Sequence, residues 1–475
     1  MSAFTKLKHY TRRSLFQAFI LGMLSFTQPG IWTALNIMGA GGLITTTTAN
    51  VANSVLFAVM TITSPFFAVL ANKIGLKWSL VIGVIGYVPY SAGLYLNSKN
   101  GAQWLVMLGA VTCGFSASLF WVAEGTAAVL YPSNNERGLF IGIWQFINKF
   151  GLVIGGAIVL ALNIHTSTKG GVSLNTYAAF IAIQCAGILF VWFFVKPEKV
   201  IRDDGTSARS NIGNESIKDR FKKLGQVFKK KEVWLLAPLS LANMWFMTWQ
   251  GNYITTYFSV RSRSLNTLVT AFVQMFADII VGLLLDTKYF SVETKKRWSW
   301  HIISFLMTMY FVYSIIIQSI YDKNPVSGLD WTESGFGRGF IPFVLFKLFA
   351  EALNNWMYWI IGTMNYHSTE LTYVVSIIRG LESNGEMWAF VIGAVNPNLM
   401  VSLAVSAGVF WLTVPPVTYL VHFVADDVAA KNIERNKVLD EEFKDKVDGI
   451  EGSLGNDSVQ SDEVEVEESL VTEKK

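Results

Sequence analysis

The chain has 475 residues; 52% are hydrophobic, 14% aromatic and only 15% charged, a balance that water-soluble proteins rarely carry. Its net charge of +4 is divided between a basic middle segment and an acidic C-terminal stretch, so there is no basic face for a nucleic acid. Two cysteines and five histidines supply neither a disulfide framework nor a metal-ligand spacing, and no metal or cofactor is expected.

Apolar stretches of about twenty residues follow one another from about residue 14 to residue 423. A helix of that length crosses a hydrocarbon core of roughly 30 Å. Lipid offers backbone groups no partner, so each segment must pair its own N–H and C=O groups as a helix. The expected class is all-α integral membrane, and the lipid bilayer is the first partner.

The spans expected in chain order are 14–36, 48–71, 79–97, 103–128, 138–162 and 176–196, then 233–257, 266–287, 299–320, 339–362, 371–395 and 399–423. The first follows Lys6, Lys8, Arg12 and Arg13 and runs on through Gln28-Pro29-Gly30 without a small-residue cleavage site, as a retained span does. A polar gap divides the spans six and six. The expected units are an N-terminal bundle over 1–196, a linker over 197–232 with a short amphipathic helix, a C-terminal bundle over 233–425, and an acidic tail over 426–475. Ser458 to Glu468 is Ser/Asp/Glu-rich with almost no aromatics, so the tail is expected to be mostly disordered.

Alternating spans put the N-terminus, Lys73 and Lys77, Arg137, the linker and Lys288/Lys295/Lys296/Arg297 on one side, against a sparser set on the other that includes Arg261 and Arg263. Basic residues are retained in the cytoplasm, so both termini are expected there.

Ionisable residues inside spans cost about 2.5–3.5 kcal/mol each and need a partner, a watery cavity or a task. They are Glu124 in span four, Lys149 in five, Asp278 in eight, Lys347 and Glu351 in ten, and Arg379, Glu382 and Glu386 in eleven. Lys149, Asp278, Glu351, Glu382 and Glu386 fall near mid-depth, which makes them candidates for a substrate or proton site. Helical spacing permits the ion pairs Lys347 with Glu351 and Arg379 with Glu382. Asp278, Glu386 and Lys149 have no such partner in their own spans, which favours function or a cross-helix pair.

Trp245, Trp249, Gln250, Trp356, Tyr358 and Trp359 either line a cavity or, as the default, pack between helices or face lipid. Asn148, Asn243, Asn354 and Asn355 are substrate contacts or, more safely, interhelical hydrogen bonds. No nucleophile–base constellation or nucleotide motif is present, and an enzyme is not expected.

After span two the chain reads Asn72-Lys73-Ile-Gly75-Leu-Lys77, and after span eight Gly282-Leu-Leu-Leu-Asp286-Thr-Lys288, equivalent positions in two repeated halves. These loops resemble the Gly-x-x-x-Asp-Arg/Lys-x-Gly-Arg/Lys motif of the major facilitator superfamily, with Ala68 and Asn72 replacing its Gly and Asp in the first copy. Gln28-Pro29-Gly30-Ile-Trp32-Thr-Ala-Leu-Asn36-Ile-Met-Gly39-Ala-Gly41-Gly42 is similar to the signature of fungal members of the uncoordinated-93-like family, a branch of that superfamily. Trp121-Val-Ala-Glu124-Gly125 and Gly380-Leu-Glu-Ser383-Asn-Gly385 extend the likeness.

The resemblance implies twelve transmembrane helices in two six-helix bundles and a transporter-like body. Two functions are compatible with it. One is a secondary carrier of an unknown small solute by alternating access, with protonation of Asp278, Glu386 or Glu382 as the candidate coupling event. The other is a non-transporting regulator or trafficking chaperone that binds partner membrane proteins. A carrier should aim Lys149 from one half and Asp278 or Glu386 from the other at one aqueous space.

Overall fold

The computed structural model describes residues 9–37, 46–163, 174–205, 216–395 and 398–438; Gly39, Gly41 and Gly42 of the first signature lie outside the described residues. Extended pairing among the described residues is limited to two isolated backbone bridges, Arg13 with Ile201 and Phe258 with Leu329. The rest of the regular structure is helical. The first six spans are α1 (Ser14–Asn36), α2 (Thr46–Ile74), α3 (Leu76–Asn100), α4 (Gln103–Leu130), α5 (Arg137–Asn148 continued by Phe150–Asn163) and α6 (Leu174–Val191). The second six are α7 (Lys231–Asn243 continued by Met247–Tyr257), α8 (Val260–Asp286), α9 (Val292–Lys323), α10 (Phe336–Thr363), α11 (Ser368–Val395) and α12 (Leu399–Phe423).

Eight of these are long and apolar enough on their own to cross a membrane; the other four are α6, α7, α10 and α11. Three of those four carry Asn243, Gln250, Lys347, Glu351, Arg379, Glu382 and Glu386. The sequences least suited to lipid are thus largely those that turn polar groups inward. The outer surface is the reverse: Ile62, Phe66, Leu284 and Phe305 are each more than half exposed, which hydrocarbon accommodates and water would not.

The two halves meet along two long seams, α2 against α11 and α5 against α8. Glycine makes the second seam possible. A Cβ on Gly138 would collide with the carbonyl oxygen of Gly282, and one on Gly282 with that of Gly138, so the backbones touch where larger residues would force them apart. One step further along, Gly142 faces the Asp278 carbonyl in the same way.

Within α1 the family signature forms a wedge. Pro29 cannot donate a ladder hydrogen bond, and Phe26–Gly30 opens into a π-helical turn. Gly30 lies against Gly151 of α5, Gln28 Nε2 donates to the Gln184 carbonyl of α6 at 2.8 Å, and Trp32 packs edge-on to Phe57 at 5.9 Å.

One end of the bundle collects the linker and the described chain ends. The linker helix Ile217–Val227 is capped by Ser216, whose hydroxyl accepts from the Asp219 N–H at 3.2 Å, and it buries Arg220, Leu224 and Val227. Arg220 donates to the Asn72 carbonyl at 2.8 Å. Beyond α12 the chain remains helical to residue 438. The tail expected over 426–475 thus begins with a docked helical stretch. Ala425, Val428, Asn432 and Asn436 form a stripe at helical spacing; the first three are buried. Asn432 donates to the Met364 carbonyl at 2.8 Å, Asn436 to that of Asn365 at 3.0 Å, and Arg435 pairs with Glu370. The acidic composition that suggested disorder belongs to residues beyond 438, which lie outside the described residues.

Truncation after residue 438 is therefore expected to leave the thermal unfolding of the detergent-purified protein unchanged. Truncation after 424 removes two side-chain bonds to backbone carbonyls, an apolar contact, the Arg435–Glu370 pair and the Asp426 partner of buried Lys296, together at least about 3 kcal/mol, and should lower both yield and unfolding midpoint. Equal midpoints for the two truncations would show that the tail helix contributes nothing.

Candidate functional site

A cavity of about 440 Å³ lies between the halves, a size suited to one small organic molecule. The N-terminal half contributes Trp32 and Asn36 from α1, Asn53 and Phe57 from α2, Trp121 from α4, and Gln145, Asn148 and Lys149 from α5. The C-terminal half contributes Gln250 from α7, Gln274 from α8, Lys347, Glu351 and Asn354 from α10, and Arg379, Glu382, Glu386 and Phe390 from α11. Helices α1, α5, α7 and α11 run away from the linker end, while α2, α4, α8 and α10 run toward it. Most of the residues just named therefore lie at mid-depth or in the part of their helix remote from the linker, with Trp121, Gln145 and Asn354 on the linker side of the midpoint.

The linker end itself is sealed, and the two loop motifs seal it. Asp286, closing α8, accepts from the backbone N–H groups of Gly138 at 2.8 Å and Leu139 at 2.7 Å. A carboxylate there meets the unpaired donors and positive dipole end of α5. At the equivalent place on the other seam, Asn72 donates to the Thr369 carbonyl at the start of α11, at 3.1 Å. The Asn of the first copy thus keeps the cross-half contact with opposite hydrogen-bond polarity. Gly75 starts α3 with φ at 83°, a backbone shape that a side chain would strain, and Lys73 is exposed.

The intramembrane charges sort into pairs that spacing alone does not reproduce. Glu351 pairs across the halves with Lys149 at 2.8 Å, not with Lys347 one turn away on its own helix. A Lys preceding a Glu by four is the weaker order of a helical pair, and Lys149, largely buried, would otherwise have to carry its charge uncompensated. The Lys347 ammonium instead lies over the rings of Phe246 and Phe343, 5.6 and 5.8 Å from their centroids. Arg379 and Glu382 pair at 2.7 Å. The Arg379 guanidinium also stacks on Trp121 of the other half, 4.2 Å from the ring centroid, while Asn243 donates to Glu382 at 2.6 Å.

Asp278 does not reach the cavity wall. It is fully buried behind Lys149 and Glu351, within electrostatic reach of both, and accepts from Asn355 Nδ2 at 3.1 Å. Its carboxylate thus joins the site through the Lys149–Glu351 pair. Glu124 is likewise buried off the wall, accepting from Trp144 Nε1 at 2.9 Å and from the Ser25 hydroxyl. Glu386 lines the cavity, and no ion pair involves it among the described contacts.

Of the aromatic and amide candidates, Gln250, Asn148 and Asn354 line the cavity, whereas Trp249, Trp356, Tyr358 and Trp359 are buried in interhelix packing. The sequence reading missed Asn53, Gln145, Gln274, Phe57 and Phe390 as wall residues. An amide inside an apolar span was the available signal for the first three. Phe57 and Phe390 carried none; they stack across the halves at 5.8 Å, near the end of the cavity away from the linker.

Two bundles, two cross-half seams and a central polar cavity sealed at one end define a multi-pass membrane protein of the transporter type. Residues 14–353 match the Major Facilitator Superfamily, and the chain belongs to that superfamily. The motif likeness to the uncoordinated-93-like branch is met by an UNC93-like protein of Schizosaccharomyces pombe, 29% identical over 78% of this chain and 75% of that protein. UNC93-like protein 1 of Arabidopsis thaliana is 27% identical over 86% and 90%. The Notoamide biosynthesis cluster protein O' of Aspergillus versicolor is 29% identical over 90% and 93%.

Among solved structures, the chain resembles the Escherichia coli fucose:proton symporter FucP (TM-score 0.59, 13% identity, 85% of this chain and 98% of that one). It also resembles a bacterial homologue of the iron transporter ferroportin in an outward-facing state (TM-score 0.64, 11% identity, the same coverage). At these identities the likeness concerns the fold.

Proposed function

We propose that the protein is a secondary transporter that moves a small solute by rocking its halves about the central cavity, and that the linker end faces the cytoplasm. The observation that carries this reading is a cavity walled by charged residues of both halves, with the halves tied together at the linker end by side-chain hydrogen bonds to backbone. The arrangement is suited to admitting a solute from the far side, past the Phe57–Phe390 stack. Opening toward the cytoplasm would then require Asp286 to leave α5 and Asn72 to leave α11.

Coupling is assigned to the cluster at mid-depth. Two carboxylates, Asp278 and Glu351, flank the Lys149 ammonium, so a change in how the halves meet changes which acid it compensates and can drive proton uptake or release. The test is a solute screen with the protein in vesicles, with internal pH recorded. The solute found should be concentrated at the expense of a proton gradient. Asp278→Asn should abolish that concentration while leaving solute exchange intact. Full concentrative uptake by Asp278→Asn, with an unchanged pH profile, would remove Asp278 from the coupling. If no solute of any class is taken up while the protein still binds another membrane protein, the regulator reading replaces this one.

A further inference from the structure

We propose that the solute taken by this cavity is a zwitterion, its anionic group held by Lys347 and its cationic group by Glu386. The inference rests on the transporter reading and deepens it by naming the substrate class.

Charge balance in the cavity is the starting point. Its wall carries three cations, Lys149, Lys347 and Arg379, and three carboxylates, Glu351, Glu382 and Glu386. Two of each are matched within the protein, Lys149 with Glu351 at 2.8 Å and Arg379 with Glu382 at 2.7 Å. One cation and one anion of the wall are left, Asp278 lying behind the wall on Asn355, and neither takes part in an ion pair among the described contacts. Lys347 rests on the rings of Phe246 and Phe343, a placement that provides a π-face and no anionic oxygen.

The two leftover charges share a level. Lys347 precedes Glu351 by four residues on α10, which runs toward the linker end. Glu386 follows Glu382 by four on α11, which runs away from it. Each therefore lies one helical turn, about 5.4 Å, farther from the sealed end than its paired neighbour. Both stand at the side from which a solute enters, on two different helices of the same wall.

A ligand with one charge would satisfy one of these groups and leave the other unpaired when the halves close over it. A neutral ligand would leave both. Only a molecule bearing both signs compensates the pair, so the site discriminates by what it leaves unmatched. Trp32, Phe57 and Phe390 on the same wall suit an organic body between or beside the charged ends.

The experiment uses the full chain, as purified protein for ligand-induced thermal stabilisation and in vesicles for uptake. Its probes are the standard amino acids, glycine betaine and short dipeptides, each beside the amine lacking its carboxylate and the acid lacking its ammonium. The expected ligand is one of the zwitterions, bound roughly tenfold or more tightly than either singly charged analogue. Lys347→Met should lose the preference for zwitterion over amine, and Glu386→Gln the preference for zwitterion over acid. Lys347→Arg should retain the wild-type order, which separates loss of a charge from loss of folding.

Uptake of neutral or singly charged solutes alone would overturn the inference and leave the transporter reading standing. So would zwitterion binding that neither Lys347→Met nor Glu386→Gln alters. If nothing is transported, the transporter reading fails. Zwitterion binding to the purified protein that depends on both residues would then still support the site, and its absence would overturn it.

Discussion

Lys149→Met is expected to lower the stability of the protein by about 3–5 kcal/mol, because it leaves the buried Glu351 carboxylate beside Asp278 without its ion-pair partner. Lys149 and Glu351 are both largely shielded and lie 2.8 Å apart, so neither has water as a substitute partner. Removing both charges together, as Lys149→Met with Glu351→Met, should recover most of the loss, since the greater part is the penalty of an orphaned charge. Lys347→Met is the informative contrast. Its ammonium touches two rings and no carboxylate, so its removal should change the unfolding midpoint little. Thermal unfolding of the four proteins in one detergent decides the matter. A single Lys149 variant as stable as wild type, or a Lys347 variant as damaged as the Lys149 one, would show that the Glu351 charge is compensated elsewhere.

Asp286→Ala should shift the resting protein from its sealed form toward one open at the linker end. The substitution removes two hydrogen bonds from a carboxylate to the backbone of α5, at 2.8 and 2.7 Å. Bonds to a charged partner contribute about 1.5–3 kcal/mol each. Exposure of the freed N–H groups to water recovers part of that, and a net bias of about 3 kcal/mol is roughly a hundredfold change in the ratio of the two forms. Asn72→Ala removes one neutral bond and should shift the ratio by only about fivefold. The measurement is the rate at which a cysteine replacing Ala350 on the cavity wall, with Cys113 and Cys185 replaced by alanine, reacts with a reagent supplied from the linker side. Unchanged labelling in Asp286→Ala would show that the seal depends on the α5–α8 and α2–α11 packing alone.

What the sequence determined by itself was everything that depends on short stretches of chain. Runs of apolar residues matched to the thickness of hydrocarbon define spans without reference to any other part of the protein. The recurrence of Gly282 to Asp286 where Asn72 to Gly75 stood announces the repeated halves. Charges inside such runs stand out because lipid penalises them wherever the helix packs, which is why Lys149, Glu351, Glu382 and Glu386 could be singled out as site candidates. Even the Arg379–Glu382 contact is local, being three residues apart on one helix.

Tertiary structure decided which of those charges meet. A pair at helical spacing is weak enough that Glu351 turns to Lys149, more than two hundred residues away in sequence, because α5 and α10 bring them to one wall and burial forces a choice. The same packing placed Asp278 behind that wall instead of on it. It also drew Phe57 and Phe390 together from different halves, and seated a stretch of the tail whose composition, averaged with the acidic residues after it, had suggested disorder. Hydrophobicity and periodicity are properties of a segment read along one dimension. The partner of a buried charge and the wall of a cavity are set by which helices face each other across a seam.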